Sequence, residues 1–470
     1  MTETHFEPFL HLVDVTHDRA LIAWGGFYFQ RADAEHQWRV VDDEQLSQLD
    51  QGRTGSIGAS SEPYGEAAVE AYDETGALAA HAATRQVNHV WLEGLAPDTT
   101  YTYQVVVDGQ PWADGERWDW GPGARGGLDL GPRGRSYRRR FRTHPSPDVS
   151  VPLRFSVLGD FGVGVIADAE PGRRQRRVAA ALDRLVTEHG VRLVLTVGDN
   201  VYKGEPGRVE QESGNDDDDW YSKFYAPYRY LLGEIPVYPA VGNHDTGETE
   251  TSDEPDQIAD IFHTRTRFDR TDVDGRAAIS VGLNYRFGYG ADVEFTSIDT
   301  TETPGGLRGN YYFQYAEHSE FLDHAFPQAA GPRWRIPFCH HPAYCAGPKV
   351  ENNAAVLDRL VPLFQRAGVR VAFAGHEHNF QISQVDGIAY VTTGAGGKVR
   401  EQPPTEFAAA GTQAWGMQAH CLLVDVTRDR MAITPVAALG ADGELELMSA
   451  LGPDDTLLRP PFEVSADERV

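Results

Sequence analysis

A β-rich unit followed by a larger α/β unit is the architecture the sequence predicts, and three observations predict it. The chain has 470 residues, more than the roughly 250–300 at which a single core usually splits in two. Residues 1–147 read as short strands punctuated by Gly, Pro, Asp and Asn, with almost no helical periodicity. From Val151 onward apolar strands alternate with helices. The boundary falls in the linker-like His144-Pro145-Ser146-Pro147, giving units at 1–147 and 148–470.

In the first unit, Tyr101, Tyr103, Val105 and Val107 alternate onto one face, and Asp108-Gly109 supplies a hairpin turn. The run 95–109 that contains them resembles the turn-to-strand corner of fibronectin type III sandwiches. That resemblance implies an all-β sandwich in which a Tyr hydroxyl ties the strand back to the preceding loop. A loop rich in Gly and Arg at 121–135 precedes a last strand at 137–143. In the second unit the best helix spans 176–189, where Val178, Leu182, Leu185 and Val186 share a face. Residues 423–430 echo 12–19, which a shared hairpin type explains better than a duplicated domain. Acidic runs at 215–219 and 246–256 are expected to be solvated loops.

Charge narrows the partners. With 70 acidic residues against 42 basic ones, the net charge of −28 argues against a nucleic-acid or anionic-membrane surface, where clustered cations supply most of the affinity. Cys339, Cys345 and Cys421 are too few and too odd in number for a disulfide framework, so reduced thiols are expected. The first residues show neither a basic nor an apolar targeting segment, and no stretch approaches the ~20 apolar residues of a membrane span. The expectation is a cytoplasmic protein, with secretion open if the native start lies upstream. Oligomeric state is not legible.

Five segments end a run of apolar strand residues in a small residue followed by a metal-ligand type. They run up to Gly159-Asp160, Gly198-Asp199, Gly242-Asn243-His244-Asp245, Cys339-His340-His341 and Gly375-His376-Glu377-His378. A ligand at the carboxyl end of each strand would put all of them on one rim. The glycines are expected to let the backbone turn and a metal approach without a Cβ in the way. Asp and Asn oxygens, His nitrogens and a possible Tyr phenolate make a mixed set suited to Fe, Zn or Mn. Seven or so donors exceed the needs of one tetrahedral ion and suit a pair about 3.5–4 Å apart sharing a carboxylate.

The ordered set Gly-Asp-x-Gly, Gly-Asp-x-x-Tyr, Gly-Asn-His-Asp, a His after the fourth strand and Gly-His-x-His resembles the calcineurin-like metallophosphoesterases, and among them the purple acid phosphatases. Where the wider superfamily has His in its first motif this chain has Gly162, and Tyr202 takes that place. The resemblance covers 154 to about 400, taking in Thr300 and the run Gly394-Ala395-Gly396-Gly397-Lys398. It implies a four-layer α/β/β/α domain behind a fibronectin-like sandwich. It also implies that Asp160, Asp199, Tyr202 and His378 hold Fe(III), with Asp199 bridging, and that Asn243, His340 and His376 complete a site for Fe(II), Zn or Mn.

The implied reaction is hydrolysis of a small-molecule phosphate monoester by a metal-bound hydroxide. With Asn243 as the ligand, His244 is left to polarise the phosphate or protonate the leaving oxygen, its ring oriented by Asp245, or else to support Asn243. His341 is expected to be structural. Plant members carry further substrate-binding His where this chain has 346–350, so Lys349 is a candidate replacement, with Lys203, Arg308 and Lys398 as rivals. Exposed surface positions are expected for all four. A small-molecule phosphodiesterase and a non-catalytic metal-binding scaffold are the alternatives.

Overall fold

The structure, a computed structural model, describes residues 3–31, 39–40, 66–85, 87–112, 138–165, 170–202, 220–246, 258, 261–268, 283–303, 309–328, 331–439 and 444–467. The loop at 121–135 and the acidic runs at 215–219 and 247–256 lie outside the described residues.

Two antiparallel sheets make up the N-terminal part. In one, β1 (Glu3–Val15) and β2 (Arg19–Arg31) form a long hairpin, with β3 (Arg39–Val40) and β6 (His89–Glu93) also pairing β2. In the other, β4 (Ala67–Tyr72) lies between β5 (Leu78–Thr84) and β7 (Thr100–Val107), and β7 also pairs β8 (Gln110–Pro111) and β9 (Arg139–Arg142). Leu12, Ile22 and Trp24 of the first sheet share a core with Val69, Tyr103 and Val105 of the second. The alternation along β7 buries Tyr101, Tyr103, Val105 and Val107 as their spacing requires. The Tyr101 hydroxyl accepts the Ala96 N–H at 2.8 Å, tying the strand to the loop before it.

Two further sheets pack face to face. The first runs β12 (Val237–Ala240), β11 (Val194–Val197), β10 (Leu153–Leu158), β20 (Cys421–Val426), β21 (Arg430–Leu439) and β22 (Leu445–Leu447), with β25 (Phe462–Ser465) also on β21. The second runs β13 (Tyr285–Tyr289), β14 (Val293–Ile298), β15 (Trp334–Cys339), β16 (Val371–Ala374), β18 (Ile388–Thr393), β17 (Phe380–Val385), β19 (Thr412–Gly416), β23 (Ala450–Leu451) and β24 (Leu457–Leu458). Phe155, Leu195 and Val424 meet Phe295, Ile336 and Phe373 between them.

Helices α1 (Glu170–His189) and α2 (Ala226–Leu232) cover the outer face of the first sheet through Val178, Leu182, Leu185 and Leu231. Helices α3 (Ala316–Ala325) and α4 (Ala354–Ala367) cover the second through Phe321, Leu322, Leu360 and Phe364. The layers are therefore α/β/β/α. Helix α1 starts six residues before the predicted 176. Pro171 suits a first helical turn, which lacks N–H partners anyway, and Glu170 pairs with Arg173 at 2.9 Å and Arg174 at 3.4 Å. The echoed octets do share a turn: Thr16 N–H donates to Arg19 O at 2.9 Å, and Thr427 N–H to Arg430 O at 2.8 Å.

The N-terminal sheets are bolted to this body by buried polar contacts. The Tyr238 hydroxyl, on β12, donates to Asp14 Oδ1 at 2.5 Å, and the Arg267 guanidinium lies 4.3 Å from the Tyr238 ring centre and 3.7 Å from Asp14. The Tyr103 hydroxyl donates to Gly233 O at 2.7 Å. His11 sits edge-on to Phe224, Tyr225 and Phe262, and neither of its ring nitrogens has a hydrogen-bond partner among the described residues. Burial, then the charge of Arg267, lowers its pKa to about 3, and burial with Arg192 does the same for His144. An unfolded histidine titrates near 6.5, so between about 6.5 and 3 the unfolded chain holds more protons. The stability these neutral rings contribute is present above that window and lost as pH falls through it, at about 1 kcal/mol per pH unit for each ring. Replacing His11→Phe removes one such proton, so acid unfolding followed by circular dichroism should move to lower pH and lose steepness. An unchanged acid transition would show that His11 does not report on this junction.

Candidate metal centre

Turns leaving β10, β11, β12, β15 and β16 carry Asp160, Asp199, Asn243, His340 and His376, with Tyr202 and His378 a few residues further along the second and fifth. The rim is not that of one open sheet. Three of these strands belong to the first sheet and two to the second, so the cluster sits where the two layers end together.

Three of the side chains stand on strained backbone. Asp160, Asp199 and His376 have φ of 53°, 51° and 70°, a region that costs a non-glycine residue roughly 1–2 kcal/mol. Cross-links hold them there. Asp160 Oδ2 accepts the His376 N–H at 2.9 Å, Asp199 Oδ1 accepts the His244 N–H at 3.0 Å, and Asp160 O accepts the N–H groups of Gly397 at 3.1 Å and Lys398 at 3.3 Å. The expected backbone turn is seen at Gly198, whose φ is 87°, and the glycines serve a further purpose. A Cβ on Gly198 would fall 2.5 Å from His340 Nδ1, one on Gly375 2.5 Å from Asp160 Oδ2, and one on Gly242 would overlap the Asp199 carboxylate. They make room for neighbouring donor side chains.

The donors form two overlapping groups. In the first, the Tyr202 hydroxyl donates to Asp160 Oδ1 at 3.1 Å and lies 3.4 Å from His378 Nε2, which is itself 3.4 Å from Asp160 Oδ1. Asp160, Asp199 and His378 offer one atom each within 4.8 Å of one another. In the second, His340 Nε2 faces Asn243 Oδ1 at 2.9 Å, His376 Nδ1 at 3.1 Å and Asp199 Oδ1 at 3.4 Å. Asp199 belongs to both.

The chemistry of this set fits cations. His340 Nδ1 lies 2.9 Å from Val197 O, which holds the proton of a neutral ring on Nδ1 and leaves the Nε2 lone pair pointing at the Asn243 oxygen. Burial, then the neighbouring Asp199, push the Asp160 carboxyl well above its usual range, while Asp199, against the same burial, is held low by His340 and then His244. Burial, then Arg400, lower His378 to about 3. Burial and Asp160 raise the Tyr202 phenol. Neutral imidazoles, an amide oxygen and two buried carboxylates crowd lone pairs together, an arrangement that hard or borderline cations relieve.

Around this set, His244 is half-buried with its ring 4.6 Å from that of Tyr202. Asp245 does not orient it, contrary to expectation. Its carboxylate accepts from Asn200 N–H, Val201 N–H, Gly242 N–H and Asn200 Nδ2, at distances from 2.8 to 3.1 Å, stapling the loop after β11 to the loop after β12. His341 packs in the interior, its N–H donating to Thr300 Oγ1 at 3.0 Å.

Lys349 is exposed, while Lys203 and Arg308 lie outside the described residues. Lys398 is not the surface residue expected: it is half-buried, with Nζ 3.3 Å from the Tyr202 ring centre. Sequence reasoning also missed Glu377, fully buried between two candidate ligands. It accepts from Arg400 Nε at 2.8 Å and from the N–H groups of Lys349 and Val350 at 3.1 and 2.7 Å, while Arg400 N–H donates to His378 O. Its place inside Gly-His-Glu-His was the available clue. A separate cleft of about 710 Å³ lies at the far end of β10, and its arginines are engaged: Arg142 with Asp98, Arg154 with Asp425, and Arg192 with the carbonyls of Arg142 and Thr143.

Known proteins similar to this chain include phosphoesterases. Residues 153–380 match the calcineurin-like phosphoesterase family. Over 263 residues, 52% of this chain and 73% of that protein, the sequence is 24% identical to tartrate-resistant acid phosphatase type 5 of Oryctolagus cuniculus. The fold is similar to that of PhoD, with a TM-score of 0.62 at 10% identity over 96% of this chain and 91% of the other. It is also similar to that of purple acid phosphatase PPD1 from yellow lupin (Lupinus luteus) seeds, with a TM-score of 0.57 at 14% identity over 97% and 74%. The resemblance to purple acid phosphatases read from the motifs is thus borne out, and residues 153–380 match the calcineurin-like phosphoesterase family.

Proposed function

We propose that this chain is a dinuclear-metal phosphohydrolase of the purple acid phosphatase type, acting on small-molecule phosphate monoesters. The observation that carries the reading is the pair of donor groups sharing Asp199, one around Asp160 and His378, the other around His340 Nε2. Asp160, Asp199, Tyr202 and His378 would hold Fe(III), and Asn243, His340 and His376, with Asp199, a divalent Fe, Zn or Mn. When bound, such a pair lowers the pKa of a water to near neutral and offsets charge on the phosphoryl oxygens.

The chain's own groups supply the rest. The carboxylates of Asp160 and Asp199 favour a high charge on the first ion, and the neutral rings of His376 and His378 donate without first losing a proton. His244, half-buried at the rim and steadied against Tyr202, is the group to give a proton to the leaving oxygen. Its backbone N–H on Asp199 keeps it in register with the shared carboxylate. The N-terminal sheets would be a fibronectin type III-like sandwich spanning 1–147, a reading supported by the Tyr101 hydroxyl on Ala96 N–H.

Iron-loaded protein is expected to show a phenolate-to-iron band in the visible spectrum that Tyr202→Phe abolishes, while metal-dependent turnover of an aryl phosphate monoester disappears on chelation. A band that survives in Tyr202→Phe rules that residue out as a ligand. Asp245→Asn loosens the staple between the two ligand loops without touching a donor. Chelator competition should then show metal affinity lower by about 10–100-fold, and unchanged affinity would mean that the loops hold their places without it.

A further inference from the structure

We propose that Lys398 binds substrate: its ammonium takes the third non-bridging oxygen of a phosphate monoester, and so makes the site favour monoesters over diesters. The proposal rests on the phosphoesterase reading above and deepens it.

Lys398 is one of four lysines in the chain. Its Nζ lies 3.3 Å from the Tyr202 ring centre, with no hydrogen bond or ion pair to any described residue. Half-burying an ammonium strips water from it, and proteins ordinarily restore the balance with a carboxylate. The neighbouring Arg400 is treated that way, by Glu377 at 2.8 Å. Lys398 has an aromatic face in contact and the charges of Asp199 and Asp160 further off, which attract the ammonium but take no hydrogen bond from its three N–H donors. Those donors remain available to an oxyanion.

The placement suits one. The ring beneath the ammonium carries the hydroxyl that lies 3.1 Å from Asp160 Oδ1 and 3.4 Å from His378 Nε2, so the ammonium and the candidate ligands border the same space. The backbone that delivers it is fixed, since the N–H groups of Gly397 and Lys398 both donate to Asp160 O. A Cβ on Gly397 would fall 2.6 Å from Phe161 O, so this segment lies against the loop that bears Asp160. Lys398 is thereby held in register with a candidate ligand.

Phosphate chemistry then sets the preference. A pair of cations can engage two non-bridging oxygens of a phosphoryl group. A monoester has a third, anionic and able to accept a charge-assisted hydrogen bond. In a diester that position carries a second ester carbon, which offers the ammonium nothing and cannot offset its desolvation.

The test uses full-length, metal-reconstituted wild type, Lys398→Met and Lys398→Arg. Steady-state kinetics on an aryl phosphate monoester and the matching bis-aryl diester are paired with calorimetric binding of inorganic phosphate. Lys398→Met should raise the monoester KM and weaken phosphate binding by about 10–100-fold, with metal content and diester kcat/KM retained, and Lys398→Arg should recover most of the loss. Equal losses for both esters would overturn the proposal, since Lys398 would then merely support Tyr202. So would unaltered phosphate affinity in Lys398→Met while wild type still binds metal and turns over monoester, and that result would leave the proposed function standing. Wild type that neither turns over esters with metal nor binds phosphate would sink both.

Discussion

Two carboxylates, Asp160 and Asp199, are buried side by side at the end of two packed sheets, and the rest of the site is organised around the repulsion between them. Water cannot screen that repulsion, because both side chains are almost wholly enclosed. The two carboxyls answer it in opposite directions, Asp160 being pushed up by burial and by Asp199, and Asp199, against the same burial, being held low by His340 and His244. An arrangement so unfavourable in isolation makes sense as one half of an ionic assembly whose other half is cationic.

Keeping such donors together requires a scaffold that does not relax. Each donor leaves a buried strand and is pinned within a residue or two by a contact to a different loop. His376 N–H binds the Asp160 carboxylate, His244 N–H binds the Asp199 carboxylate, and Asp245 clasps the loop that follows Asp199. The left-handed backbone at Asp160, Asp199 and His376 is strain that these cross-links sustain. Glycines permit the interlock, because at Gly198, Gly242 and Gly375 any side chain would collide with the donor of an adjacent turn.

Much of this was legible in the residues, and the limits of legibility are physical. Strand-then-ligand segments could be read because buried parallel strands leave unbroken apolar runs, and a polar residue that ends such a run is conspicuous. The order of layers, by contrast, was legible only through resemblance, since adjacency of β10 to β20 or of β16 to β18 leaves no local mark. Asp245 was misread because a sequence neighbour of His244 suggested a partner for that ring, whereas Asx residues in turns as readily take backbone N–H groups. Lys398 was expected on the surface because lysines usually are there; its seat over Tyr202 depends on two loops almost two hundred residues apart. The early start of α1 was missed because charged Glu170 to Arg174 carry no apolar stripe, yet pair with one another along the helix.

The contact between Tyr238 and Asp14 carries one more implication. Tyr238 lies on the strand that delivers Asn243 to the rim, so the hairpin at the chain's beginning braces, from behind, a strand leading to the donor cluster. The front and rear of the molecule are therefore not interchangeable cassettes. A graft of either part onto a foreign neighbour would inherit a phenol, a guanidinium and a buried imidazole facing the wrong company.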